Sequence, residues 1–301
     1  SNSDVVISYS NGPTNGQSLT GVYTLSFSFS GTGTVTSLDI EISDDSTTWS
    51  NVATLTSSPW VTYLDTTTLP NGAYELRATA YDSTVSENVV ELSPSFTIDN
   101  QIPVITDFSI NNIEYGTGTS ASDRAWFSTA ADGVLEFSWN AVDDDLLRAT
   151  LTNVPGPGTP SSDGPSSINY GWDWSSGDFS EGTWNPRLTV YDNSGLTATE
   201  TMFIGIDRTG PSIGTISTGT STGWSTSSSV TLTGLINTVD DGLGSGVSFT
   251  EISLDNTVWT QTGGDSYTLT LNDGIHTISL RATDNVGNIG PISQIPIQVD
   301  T

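Results

Sequence analysis

Residues 271–288, LNDGIHTISLRATDNVGN, read as a turn, a strand and a second turn. Asn272-Asp273-Gly274 is turn chemistry, because Asn, Asp and Gly tolerate positive φ. Ile275, Thr277, Ser279 and Arg281 then alternate with His276, Ile278, Leu280 and Ala282, the period of a half-buried strand. The run stops at Asp284-Asn285, where side-chain carbonyls can cap a turn, and Gly287 supplies the reversal.

The pattern occurs twice more, in LPNGAYELRATAYDSTVSEN (69–88) and SEGTWNPRLTVYDNSGLTAT (180–199). Gly72 to Asp82, Gly182 to Asp192 and Gly274 to Asp284 are each ten residues apart. Each copy is followed by a second apolar strand ending in Asp: FTID at Asp99, FIGID at Asp207 and IQVD at Asp300. Three registered copies divide the chain into tandem domains of roughly one hundred residues. The expected boundaries are 1–100, 101–208 and 209–301.

At 301 residues the chain is long for one β-sandwich core and right for three. Hydrophobic content is 34%, Gly, Ser and Thr are frequent, and no long stretch has helical periodicity, so the chain reads as all-β. The expected architecture is three tandem antiparallel β-sandwiches in an elongated arrangement, with most of the nine Trp buried between sheets. The formal charge is −28, and all six basic residues are Arg. Such a field repels phosphate backbones and anionic lipid, so nucleic acid and membrane surfaces are poor partners and cations are natural ones. Without Cys, neither a disulfide framework nor a redox compartment can be read. The longest apolar runs are strand length, so no membrane insertion is expected of these residues. Ending at Val299-Asp300-Thr301, where earlier copies continue into a linker, suggests a longer native chain.

Two further features relate the copies. TEISLDNTVW places Asp255 four residues before Trp259, just as Asp45 precedes Trp49 after SLDIEIS (37–43). The linkers Asp99-Asn100-Gln101-Ile102-Pro103 and Asp207-Arg208-Thr209-Gly210-Pro211 both set Asp four residues before Pro, and their shortness and Pro favour a stiff rod. The middle copy departs at ATLTNVPGPGTPSSDGPSS (149–167), which reads as a surface loop, and at INYGWDWSSGDF, where Trp172 and Trp174 share a strand face.

On the SLDNTVW turn, DGIHTISLRATDNVGN and the D-x-x-x-P linker, the first and third domains resemble bacterial and archaeal immunoglobulin-like repeat domains. The middle one is similar to the polycystic-kidney-disease-type sandwich through WDWSSGD (172–178) and GTWNPRLTVYDNSG (182–195), although it lacks the usual His-Thr-Tyr ahead of the turn. These motifs specify a fold, and a fold does not fix a function. The resemblance implies a surface, adhesin or S-layer protein, or a spacer in a secreted enzyme.

In a seven-strand sandwich entered from its N-terminal end, the second-to-third and sixth-to-seventh strand loops return to that end. VDDD (142–145) and VDDG (239–242) fall in the former, Asp192 and Asp284 in the latter. Asp99, Asp143, Asp144, Asp145, Asp192 and Asn193 should therefore gather at the first junction, and Asp207, Asp240, Asp241, Asp284 and Asn285 at the second. Ca2+ takes six to eight oxygens from carboxylates, amides and carbonyls without strict angles, so it is the expected ligand and would stiffen the rod. The alternative is that each Asp or Asn merely caps its own turn. The first domain has SGTGTVTS in place of the loop acids, which leaves Asp82 as a turn cap.

His276 is the only histidine, and Tyr74 and Trp184 fill its place in the other copies, so a packing or surface role is expected. One His and no Cys argue against zinc. No Gly-x-Ser-x-Gly elbow accompanies the many Ser and Asp, and the acids recur with the repeat as turn structure does, so no catalysis is expected. Trp172, Trp174 and Trp184, with Trp60, could form a platform for stacking on glycans, although core packing is the preferred explanation for each. The sequence thus points to a non-catalytic extracellular or cell-surface rod, or an array or filament subunit. Its expected partners are neighbouring copies or other surface proteins, with a carbohydrate-binding or spacer module as the alternative.

Overall fold

The computed structural model describes residues 5–83, 88–128, 135–155, 161–163, 170–174, 180–220, 223–240 and 242–301. Among them the chain is strand and loop, with two 3-10 turns at Thr66–Thr68 and Leu235–Asn237 and no α-helix. Alternation builds the strands. In Val35–Ser43, Leu38, Ile40 and Ile42 are buried while Ser37, Asp39 and Glu41 lie between them, only partly covered.

Three separate cores result. The first draws on Ile7 through Ile98, the second on Ile110 through Ile206, and the third on Val230 through Val299. The first and third each fill the space between two sheets, and the second lies among three. In the first sandwich, Val5–Asn11, Val22–Gly31 and Val61–Asp65 face a larger sheet centred on Gly72–Asp82 and Val35–Ser43. In the third, Ser229–Thr233 and Ser266–Thr270 face a sheet ordered Trp224–Ser225, Ser293–Val299, Gly274–Asp284, Val247–Ser253, Thr260–Thr262. The protein is therefore all-β, a tandem of immunoglobulin-like antiparallel sandwiches. Fully burying a Leu, Ile or Phe side chain contributes about 1.5–3 kcal/mol, and each core holds several, including Leu25, Leu38 and Phe96 in the first.

The copies share a register that places their acids. Val35 pairs with Asp82, Leu146 with Asp192 and Val247 with Asp284, and in every copy a β-bulge follows directly, between Val35 and Ser37, Leu146 and Arg148, and Val247 and Phe249. A bulge bends the strand and re-aims side chains near it. Ten residues earlier, at the other end of one long strand in the first and third copies and on a separate short strand in the second, Gly72, Gly274 and Gly182 pair with Ile98, Val299 and Ile206. The residue that follows each donates its backbone N–H to a parallel strand: Asp99 to Leu19 O, Asp207 to Phe127 O and Asp300 to Ser225 O. Repetition of the sequence thus becomes repetition of where an aspartate leaves the sheet.

Two expectations are corrected. The stretch 149–167 is not all loop: its first residues belong to strand Leu146–Thr152, with Ala149 and Leu151 fully buried, and Ser161–Asp163 pairs with that strand. The Pro/Gly/Ser-rich composition hid a short alternation of Ala149 and Leu151 with Thr150 and Thr152. Nor are most tryptophans core. Among the described side chains only Trp126 and Trp139 are buried, Trp224 is exposed, and Trp49, Trp60, Trp184 and Trp259 are intermediate. Trp49 and Trp259 lie beneath Arg77 and Arg281, whose guanidinium carbons sit 4.5 and 4.1 Å from the ring centroids. Each Arg also bonds a strand neighbour at 2.7 Å, Glu41 or Glu251. Stacking on a guanidinium gives those rings a partner outside the core.

Candidate metal centres at the two joints

Asp99 leaves the first sandwich at the end of its last strand, held by Asn71 Nδ2 and Gln101 N–H, both donating to Oδ1 at 2.7 and 2.9 Å. Asp143 and Asp145 lie in the loop between Leu135–Val142 and Leu146–Thr152 of the second. One carboxylate oxygen from each of Asp99, Asp143 and Asp145 lies within 4.8 Å of the others. Asp192, paired at the bulge and 1% exposed, adds its charge to Asp143 and Asp145. An open cleft of about 420 Å³ between Thr14–Ser18 and Asp145 and Asn193 shows the two sandwiches meeting there.

The first group is short of donors. Asp143 Oδ1 accepts from Asp144 N–H at 2.7 Å, and Asp192 Oδ1 from Ser194 Oγ and Leu196 N–H at 2.7 and 2.8 Å. Asp143 Oδ2, Asp192 Oδ2 and both oxygens of Asp145 are buried with no hydrogen-bond partner. A buried carboxylate oxygen without a donor is costly. Burial raises the pKa of Asp145 to about 6, with Asp99 and Asp192 adding repulsion and the nearby Ser18 hydroxyl opposing it. Burial likewise raises Asp143, against the backbone N–H groups of Asp145 and Asp144.

The second group has the same plan. Oxygens of Asp207, Asp240 and Asp284 lie within 4.8 Å of one another, with Asp207 and Asp284 buried. Here backbone donors are plentiful. Ser245 N–H donates to Asp207 Oδ2 and Gly246 N–H to Asp240 Oδ2, both at 2.6 Å. Asp284 Oδ1 accepts from Val286 and Asn288 N–H at 2.9 and 2.8 Å, and its Oδ2 from Asn288 Nδ2 at 2.8 Å. The Asp284 carboxyl is still pushed upward, first by burial, and Asp207 contributes. Ser245, 8% exposed, keeps an unpartnered hydroxyl beside Asp207.

The other sequence candidates divide clearly. Asp144 is exposed and stands outside the first group. Asn193 spends its backbone and side-chain N–H groups on Asp145 O at 3.1 and 2.7 Å, and Asn285 donates to Ser245 O at 2.8 Å, so both shape the acidic loops. Asp241 lies outside the described residues. Asp82 accepts from Thr34 N–H at 3.2 Å. Sequence reasoning missed Ser245, Asn288 and Asn71. Asn288 stands in the opening motif, but only the fold shows that it reaches Asp207 O, at 3.0 Å. Trp172 and Trp174 pair with Phe137 and Leu135 in backbone register, and their rings lie outside the described residues. Trp184 is half-buried against the second core, and half-buried His276 pairs Nε2 with Asn272 O at 2.7 Å.

The donor set suits a hard cation. Two oxygens bound to one Ca2+ at 2.3–2.6 Å stand at most about 5.2 Å apart, which the carboxylate spacing satisfies. The residues that would hold it are Asp99, Asp143 and Asp145 at one joint, with Asp192 beside them, and Asp207, Asp240 and Asp284 at the other.

Residues 10–78, within the first sandwich, match the sequence model of a family described as a bacterial Ig domain. The match spans less than a quarter of the chain. Among solved structures, the fibronectin(III)-like modules of Clostridium thermocellum CbhA are 13% identical, cover 67% of this chain and 95% of their own, and give a TM-score of 0.41. A tetra-tandem repeat from the extending region of a large adhesion protein is 18% identical, covers 99% and 74%, and gives 0.32. Bacteroides ovatus SGBP-B, solved with a mixed-linkage heptasaccharide, is 12% identical, covers 100% and 71%, and gives 0.24. No curated protein matches the chain. No helix among the described residues is long and apolar enough to cross a membrane.

Proposed function

We propose that the chain is a non-catalytic, extracellular or cell-surface structural segment, a rod or a subunit of an array or filament, whose joints Ca2+ stiffens. Its partners are neighbouring copies or other surface proteins. One observation carries this reading: carboxylates from adjacent sandwiches converge at each joint, and at the first of them buried oxygens have no donor. A turn cap uses its oxygens on backbone N–H groups, whereas Asp145 does not. A divalent cation would supply the missing positive charge and tie together groups from both sides of each joint. The acidic surface, net −28, would also concentrate cations around the chain.

Calorimetric titration of Ca2+ into the EDTA-treated chain tests this. Binding heat and a raised melting temperature are expected. At a hundredfold excess over Kd, one site adds about 2.7 kcal/mol. Absence of both the heat and the thermal shift would overturn the proposal.

A further inference from the structure

Resting on that calcium reading, we infer that the two joints answer the ion differently: the first is a hinge that calcium closes, and the second is held shut by the chain itself.

At the second, Ser245 N–H of the third sandwich donates to Asp207 Oδ2 at 2.6 Å, and Asn288 Nδ2 donates to Asp207 O at 3.0 Å. Asp207 is itself anchored to the second sandwich through Phe127 O. These charge-assisted and backbone bonds join the two bodies without an ion. At the first, the bonds to Asp99 come from Asn71 and Gln101, those to Asp143 from Asp144 and Asp145, and those to Asp192 from Ser194 and Leu196. Each donor belongs to the same sandwich or linker as its acceptor, so these bonds shape the faces without tying them. Across the first joint the Ser18 hydroxyl stands near Asp145 without closing a hydrogen bond, and otherwise carboxylate meets carboxylate, with an oxygen of Asp192, a residue 1% exposed, and both Asp145 oxygens unpartnered. Without a cation, like charges this close push the faces apart.

Backbone packing draws the same distinction. A Cβ added to Gly290 would fall 1.8 Å from Pro211 O, and one added to Gly210 would fall 2.3 Å from Gly290 N, so the second linker lies directly against the third sandwich. The equivalent of Gly290, six residues beyond the strand-ending aspartate, is Ala198 in the second sandwich. A methyl group therefore stands where the second joint has none. Arg208 also brings a positive charge to the second linker, where Asn100 stands in the first.

Because the chain has no cysteine, labels can be placed without background. Two doubly spin-labelled full-length chains are made on exposed positions, Ser57→Cys with Thr199→Cys across the first joint and Thr199→Cys with Gln261→Cys across the second. Calorimetry on both establishes that calcium binds. Pulsed-dipolar distance distributions are then recorded in EDTA and in saturating calcium. The first pair should be broad in EDTA and sharpen at least twofold with calcium, while the second is narrow in both. Asp145→Asn should abolish the sharpening of the first pair. Gly290→Ala should broaden the second in EDTA and make it sensitive to calcium. Equal responses at both joints, or none at either despite measured binding, would overturn the inference and leave the calcium reading standing; absence of binding would instead remove the reading on which it rests.

Discussion

Asp45 and Asp145 are both aspartates in loops between consecutive strands, yet their carboxylates meet opposite fates. Asp45 Oδ1 accepts from Thr48 N–H, Thr47 N–H and Ser43 Oγ at 2.6, 2.8 and 3.0 Å, and Asp255 repeats this with Val258, Thr257 and Ser253 at 2.9, 2.8 and 3.0 Å. Those backbone N–H groups hold both carboxyls well below the usual carboxylate range. Asp145 accepts nothing in hydrogen-bond geometry and is pushed up to about 6 by burial. An acid in a turn can thus be consumed by that turn, as Asp45 is, or keep oxygens for something else, as Asp145 does where two sandwiches meet.

The largest expected effect separates the two kinds directly. Chelating calcium from the intact chain should cost on the order of 3 kcal/mol per saturated site, read as a fall in melting temperature. The Asp145→Asn, Asp207→Asn double variant should melt alike with and without EDTA. If that variant kept the full calcium response, the joint carboxylates would be no different from turn caps.

Next in size, Asp145→Asn alone should stabilise the metal-free protein at pH 7, because it removes a charge buried among like charges. After discounting for solvent screening, the gain is about 1 kcal/mol in urea unfolding. Asp255→Ala, by contrast, should lower stability through lost turn bonds, and by the same amount in EDTA and in calcium. A calcium-dependent loss at Asp255 would blur the distinction.

The smallest effect is in pH, and its sign differs between the two. A folded-state pKa raised above the model-peptide value of about 3.8 means that the folded form binds the extra proton, so the contribution of Asp145 is full below about pH 4 and lost as pH rises through about 6. Metal-free protein should therefore gain stability from pH 7 to pH 5, and Asp145→Asn should flatten that slope. Asp45 and Asp255, with depressed values, contribute stability above pH 4 that is lost only in stronger acid. A flat wild-type slope between pH 5 and 7 would remove Asp145 from its assigned environment.

Much of this was legible in the sequence, and for a physical reason. A strand advances side chains with fixed period, so ten residues from Gly72 to Asp82, Gly182 to Asp192 and Gly274 to Asp284 fix an aspartate at the same place on three sheets. Strand order then brings VDDD and Asp192 to the end that receives Asp99. What stayed hidden depends on local rotation and on competition for donors. Nothing in VDDD says that Asp144 turns outward between two acids that turn in. The letters Asn193 and Asn285 do not show that their Nδ2 groups donate to Asp145 O and Ser245 O, bracing the acidic loops. The stacking of Trp49 and Trp259 on arginines required knowing which strands are neighbours, and the strand at Ala149–Thr152 was masked by the composition that follows it.

The most direct test is a crystal structure of the chain grown in millimolar calcium, with anomalous scattering recorded to locate the ion. The account predicts one peak among Asp99, Asp143 and Asp145 and another among Asp207, Asp240 and Asp284, each about 2.3–2.6 Å from carboxylate oxygens. Joints without a peak, with their aspartates turned apart into solvent, would contradict it.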